Sequence, residues 1–312
     1  MKFIFFGTHY ASTIVLEKLV AAEYVPAAIV TNPDRPAGRK QVLTPPPVKE
    51  FVLSHNLRGA SGAAVVSSNS GDSIRIFQPE KVGDIRDELV VLSADLFIVA
   101  FYGKLIPKSI LNLPRLGTIG IHPSLLPAYR GPSPVQTAIL DGAPQTGTTL
   151  YMMDEKMDEG PILVQEILPS YRPDEKSNIP LWEELAALGG EMAVHVLPAL
   201  TDGSLKPTPQ DRNAATYTKK FSSEDGFIPE KDFAAATGGT SAGATDSQLA
   251  ISVHRKMLAF TPEPGAWTME NGKRIKLLEG KVERRCLVIT RLQREGKKPE
   301  SYSNVFTRRN AL

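Results

Sequence analysis

One histidine and one carboxylate, 36 residues apart, form the pair in this chain best suited to chemistry. His122 closes an apolar run, where a strand would open onto a loop, and Pro123 and Pro127 stiffen the loop that follows. Asp158 stands in Asp158-Glu159-Gly160, a composition that turns the chain. A titratable ring and a carboxylate, each on a loop held by apolar strands, suit proton handling during acyl transfer. Singly, each has a bland reading, the histidine as a structural residue and the aspartate as a turn residue. Together, with Arg130-Gly131 and Thr146-Gly147-Thr148 between them, they make a specific constellation.

Other chemistries lack their residues. Ser124 is near His122, but there is no Gly-x-Ser-x-Gly elbow for a serine nucleophile. The histidines 9, 55, 122, 195 and 254 are too scattered for a zinc helix, and Cys286, the single cysteine, rules out an internal disulfide and a multi-cysteine metal site. No metal is expected. Gly7-Thr8-His9-Tyr10-Ala11-Ser12 lacks the later glycines of a dinucleotide fingerprint, and no phosphate loop of the Gly-x4-Gly-Lys type occurs.

Apolar runs at residues 2–6, 25–31, 74–77, 95–101 and 118–122 read as strands, with helical patterns at 11–22, 48–54, 81–92 and 107–113 between them. This alternation predicts an α/β, Rossmann-like, mostly parallel sheet covered on both faces. Such sheets bind ligands beyond the carboxyl ends of their strands, where Gly7-Thr8, Tyr102-Gly103 and His122 fall. Two further extended segments, 147–153 and 161–168, flank the turn that carries Asp158, and a helix is expected over 181–200 despite Gly189-Gly190. The expected organisation is a first domain over 1–205, a linker over 206–215 and a small β-rich domain over 216–312. In the last, a helix over 247–258 precedes short strands at 266–269, 274–278 and 286–290. Residues 59–71 and 234–245, rich in Ala, Gly, Ser and Thr, read as surface loops that bury little.

Gly120-Ile121-His122, Ser124-Leu125-Leu126-Pro127, Tyr129-Arg130-Gly131 and Asp158-Glu159-Gly160 resemble the folate-dependent formyltransferases, most closely those acting on initiator tRNA. The resemblance spans nearly the whole chain, is strongest over 1–50 and 95–165, and weakens after about Ala259. It implies 10-formyltetrahydrofolate as donor, methionyl initiator tRNA as acceptor, and a reduced oligonucleotide-binding (OB-like) barrel at the C-terminus. It further implies that His122 and Asp158 are catalytic and that Ser124, Leu125, Leu126 and Pro127, with Tyr102 and Gly103, line the folate site. The family carries an asparagine two residues before its histidine, where this chain has Gly120. A lost oxyanion donor costs on the order of 10²–10³ in rate, about 3–4 kcal/mol. The expectation is therefore a protein that keeps both binding sites but turns over slowly, and in which Gly120→Asn raises the rate at least about tenfold. A folate- and tRNA-binding protein of negligible activity, or a formyltransferase for a small amine or sugar nucleotide, are the alternatives.

A second match is Pro33-Asp34-Arg35-Pro36-Ala37-Gly38-Arg39, which in the tRNA formyltransferases follows the second strand and enters the acceptor stem. Arg35, Arg39 and Lys40 can neutralise phosphates on an extended, exposed path. Charge distribution agrees. The net charge is +2, but residues 216–312 hold 17 Lys and Arg against 11 Asp and Glu, a surplus of 6, leaving 19 against 23 before them. A basic C-terminal part suits a polyanionic partner, or is a solvated basic surface. With 42% hydrophobic and 22% charged residues the composition is that of a globular protein. No apolar run approaches a bilayer span, and the first residues read as a buried strand rather than a leader. A cytoplasmic monomer is expected.

Overall fold

Phe-Ile-Phe-Phe-Gly and Leu-Phe-Ile-Val-Ala show no polar alternation, so strands made of them must be covered on both faces. The computed structural model describes residues 1–38, 40–55, 57, 74–238 and 247–303. In chain order the elements are β1 (Phe3–Gly7), α1 (Tyr10–Ala21), β2 (Ala28–Val30), β3 (Arg35–Ala37), β4 (Val42–Thr44), α2 (Pro47–Ser54), β5 (Arg75–Phe77), α3 (Arg86–Leu92), β6 (Leu96–Ala100), α4 (Lys108–Leu111) and β7 (Thr118–His122). Then come α5 (Pro134–Asp141), β8 (Gly147–Met152), β9 (Ile162–Ile167), α6 (Asn178–Thr201), α7 (Glu230–Thr237), α8 (Ser247–Phe260), β10 (Ala266–Glu270), β11 (Lys273–Glu283), β12 (Cys286–Arg294) and β13 (Glu300–Ser301). The chain divides into one unit of Met1–Pro132, Thr146–Leu168 and Trp182–Tyr217, and a second of Ser133–Gln145, Pro169–Leu181 and Thr218–Leu312.

The first unit holds a seven-stranded sheet in the order β5-β2-β1-β6-β7-β8-β9. The first five strands are parallel, and β8 and β9 each run antiparallel to the neighbour before them. Phe3, Phe5, Ile29 and Ile98 face Val15, Leu16 and Leu19 of α1 and Ala186, Ala193 and Leu197 of α6. Ile4, Phe6, Phe97 and Val99 face Leu89 of α3 and Ile110 of α4. This is the predicted Rossmann-like layer arrangement. Gly189-Gly190, costly in a helix interior, are explained by close approach. A Cβ on Gly189 would lie 2.6 Å from Ile121 Cγ2, and one on Gly190 3.2 Å from the Val15 backbone. The glycines let α6 lie directly on β7 and α1.

The structure gives His9 a task. Its Nδ1 accepts the Ala11 N–H at 3.3 Å, capping α1, while its ring lies tilted against Trp182 with centroids 5.1 Å apart. Burial lowers its pKa, which keeps that nitrogen free to accept.

The second unit carries a four-stranded antiparallel sheet, β10-β11-β12-β13, in keeping with the expected small β-rich part. Ala250, Val253 and Met257 of α8 pack on Ile275, Leu277, Leu287 and Ile289. The expectation of a loop burying little over 234–245 fails at its start. Residues 234–237 finish α7, and Ala236 is fully buried in this core. Three successive alanines look featureless as sequence but are the strongest of helix formers. Residues 239–246 and the expected loop at 59–71 lie outside the described residues.

Candidate active site

Every residue of β7 is buried, between β6 on one side and β8 on the other, so the strand delivers His122 to the carboxyl edge of the sheet with little freedom. Asp158 arrives from the β8–β9 connection in a left-handed backbone conformation (φ 56°), which aspartate tolerates better than most side chains. The two meet. His122 Nδ1 is 3.6 Å from Asp158 Oδ2, with side-chain exposures of 7% and 13%. That dry setting strengthens any charge interaction between them.

The remaining atoms of both groups are also engaged. His122 Nε2 lies 2.9 Å from the Tyr129 carbonyl, which can only accept, so Nε2 carries the hydrogen. Asp158 Oδ2 accepts the Gly131 N–H at 2.7 Å, and Oδ1 accepts the Tyr151 hydroxyl at 2.7 Å. Burial first, then the Asp158 charge and hydrogen bond, push the Tyr151 phenol well above its ordinary range, so it stays protonated and can donate.

Arg130 ties down the aspartate's loop. It is 1% exposed, and its guanidinium donates to Gln210 Oε1 at 3.1 and 2.8 Å and to the Tyr217 hydroxyl at 3.0 Å, with Glu159 at 3.6 Å. Gln210 in turn donates to the carbonyls of Asp158 (2.9 Å) and Gly160 (2.7 Å). Sequence reasoning passes over Gln210, which lies in a stretch that reads as linker, and over Tyr151, which looks like one more apolar strand residue. Neither carries a motif. Tyr151 could be found only by knowing that it pairs with Gly120 across β7 and β8.

The expected folate-site residues divide. Ser124 is fully buried, and its hydroxyl donates to the Ala128 carbonyl at 2.6 Å. Thr149 and Gln165 hold Ser124 and Leu126 by their backbone atoms, and Leu126 is 2% exposed. Ser124 and Leu126 therefore stiffen the loop, while Leu125 and Pro127 are partly exposed on it. The Tyr102 ring packs edge-on against Phe6, with its hydroxyl buried and without a hydrogen-bond partner among the described residues and its pKa pushed up to about 12 by burial. Gly103 follows in a left-handed turn with open space around it.

The expected nucleic-acid arm is an antiparallel hairpin of β3 and β4, every residue of both strands exposed. Arg35 forks onto Glu80 at 2.8 and 2.6 Å, a pair more than 60% exposed on each side and therefore readily exchanged. Lys40 is exposed, and Arg39 lies outside the described residues. Asp34 anchors the hairpin's base through Lys49 and Gln78.

The geometry weighs against the expected gain from Gly120→Asn. The space beside Gly120 is filled: a Cβ there would lie 2.6 Å from Cε1 of Tyr151. Among the described residues no cluster of three or more His, Cys, Asp or Glu could hold a metal ion, and no helix is long and apolar enough to cross a membrane.

A doubly covered, largely parallel sheet with a buried imidazole–carboxylate pair at its carboxyl edge defines a class, and sequence comparison agrees. Residues 1–197 match the family model described as formyl transferase, and residues 247–286 match that of the formyl transferase C-terminal domain. This chain belongs to the formyltransferase family. The methionyl-tRNA formyltransferase of Chloroflexus aurantiacus is 37% identical over 287 residues, covering 90% of this chain and 80% of that one. The methionyl-tRNA formyltransferase from Clostridium thermocellum shares the fold with a TM-score of 0.54 and 14% identity over 97% of this chain and 100% of that one. HypX from Aquifex aeolicus, solved in complex with tetrahydrofolic acid, does so with a TM-score of 0.60 and 16% identity over 98% of this chain and 46% of that one.

Proposed function

We propose that this chain transfers the formyl group of 10-formyltetrahydrofolate to the α-amine of methionyl initiator tRNA. The observation that carries the reading is the approach of His122 to Asp158 at 3.6 Å on the loop edge of a formyltransferase sheet. The 37% identity to a methionyl-tRNA formyltransferase over 90% of the chain supports the acceptor.

In the reaction the amine nitrogen attacks the formyl carbon, and negative charge gathers on the former carbonyl oxygen. The bond from that carbon to N10 of the folate then breaks. The proton lost by the amine ends on N10. Two tasks fall to the protein: donating to the oxygen and moving the proton. The Nε2–H of His122 is the donor, and the formyl oxygen takes the place of the Tyr129 carbonyl as its acceptor. Asp158 holds the other face of the ring and relays the amine proton. The stiffened Ser124–Leu125–Leu126–Pro127 loop and the Tyr102-Gly103 turn border the folate. Arg35, Arg39 and Lys40 meet tRNA phosphates, with the basic C-terminal part as a second contact.

Purified protein incubated with methionyl initiator tRNA and 10-formyltetrahydrofolate tests this directly. Formyl-methionine recovered from the tRNA is the expected product. Absence of that product, with formylation of a small amine or sugar nucleotide instead, would refute the reading.

A further inference from the structure

Gly120 and Tyr151 are directly paired across β7 and β8. A Cβ on Gly120 would stand 2.6 Å from Cε1 and 2.7 Å from Cζ of Tyr151, and 3.0 Å from Cγ of Met153. Real side chains do not approach so closely, so a side chain at position 120 and the ring at 151 exclude each other. The ring that fills this space carries a polar group to the reaction centre: its hydroxyl donates to Asp158 Oδ1 at 2.7 Å. Tyr151 is only 4% exposed, so water does not compete for that bond.

We infer that Tyr151, seated over Gly120, is a positioning residue that fixes the Asp158 carboxylate against His122. The inference rests on the formyl-transfer reading above. A carboxylate turns easily about its last bond, because that torsion is broad. The Gly131 N–H and the imidazole both approach Oδ2. The phenol engages Oδ1 and removes the remaining freedom. Gly120, which has no side chain, leaves the space that the Tyr151 ring fills.

Single-turnover and steady-state formylation of methionyl initiator tRNA, with wild type as reference, tests the inference. Tyr151→Phe keeps the ring and removes only the hydroxyl. It should lower kcat about tenfold or more with KM for both substrates within about twofold. Gly120→Asn alone should lower the rate, because the ring must move. Wild-type kcat in Tyr151→Phe, or a faster Gly120→Asn single variant, would each overturn the inference. A wild-type protein that formylates no methionyl-tRNA would sink the earlier reading and this inference with it, whereas an active wild type with either of those two results sinks this inference alone.

Discussion

Replacing Arg130 by methionine removes a charge from a buried position near the reaction centre. The side chain is 1% exposed and its guanidinium holds Gln210 twice, Tyr217 once and Glu159 at 3.6 Å. Methionine fills much of the same volume, so the effect comes from broken polar contacts rather than from a cavity. Breaking one side of a buried pair costs about 3–5 kcal/mol. Glu159 and Tyr217 retain access to water, with exposures of 23% and 65%, which places the cost near the lower end, about 3 kcal/mol. At ~2–4 °C per kcal/mol for a protein of this size, the melting temperature falls by about 6–12 °C. The loss also reaches the chemistry. Gln210, freed from Arg130, no longer presents its amide firmly to the Asp158 and Gly160 carbonyls, so the aspartate's loop loosens. Thermal unfolding followed by far-ultraviolet circular dichroism, with kcat measured well below the transition, reads both effects. Arg130→Lys keeps the charge without the planar fork and should fall between the two. A melting temperature within about 2 °C of wild type, with kcat unchanged, would refute the claim that this arginine organises the site.

Three further outcomes follow from geometry elsewhere. His254 is buried with its Nε2 on the Gly280 carbonyl at 3.1 Å, and burial lowers its pKa below 6.5. The unfolded chain therefore takes up its proton first, and stability is complete above pH 6.5 but declines as pH falls toward the depressed folded value, with a limiting slope of about 1.4 kcal/mol per pH unit. His254→Gln keeps a donor for Gly280 and should flatten the melting temperature between about pH 7 and 5; parallel curves would contradict this. Gly189→Ala puts a methyl group 2.6 Å from Ile121 Cγ2 and should cost about 1–3 kcal/mol in urea unfolding, against the gain expected of alanine in an open helix. Lys40→Ala should lower the slope of log K against log salt for tRNA binding by about 1, with no change in folate affinity, and an unchanged slope would remove Lys40 from the RNA arm.

Much of the first unit is legible in the amino-acid sequence, because β1, β2 and β6 are continuous apolar runs, and the span predicted at 118–122 matches β7. Their carboxyl edge places His122 and Tyr102-Gly103 on one side of the sheet. The β3–β4 hairpin is not legible as strands, because Pro36 and Gly38 signal a turn and both strands are fully exposed, leaving no apolar alternation to detect. The end of α7 escapes because a run of alanines carries no pattern. In the site, His122 and Asp158 are visible through their motif. Tyr151 is not, since its importance depends on which residue of β7 it opposes. Nor is Gln210, whose amide reaches back 52 residues to the Asp158 carbonyl. Position 120 shows the limit of substitution-by-substitution reading: the sequence shows a glycine in place of an amide, but not that the ring of its cross-strand neighbour fills the space beside it.

The most direct test of the account is single-turnover formylation of methionyl initiator tRNA by wild type and by Asp158→Asn, side by side, with 10-formyltetrahydrofolate in excess. Asparagine preserves the shape of the carboxylate but neither its charge nor its capacity to take a proton. Formyl-methionine from the wild type, at a rate at least about 100-fold above the variant and with tRNA affinity unchanged, is the predicted result. Equal rates in the two proteins would contradict the assignment of His122 and Asp158 as the pair that carries the reaction.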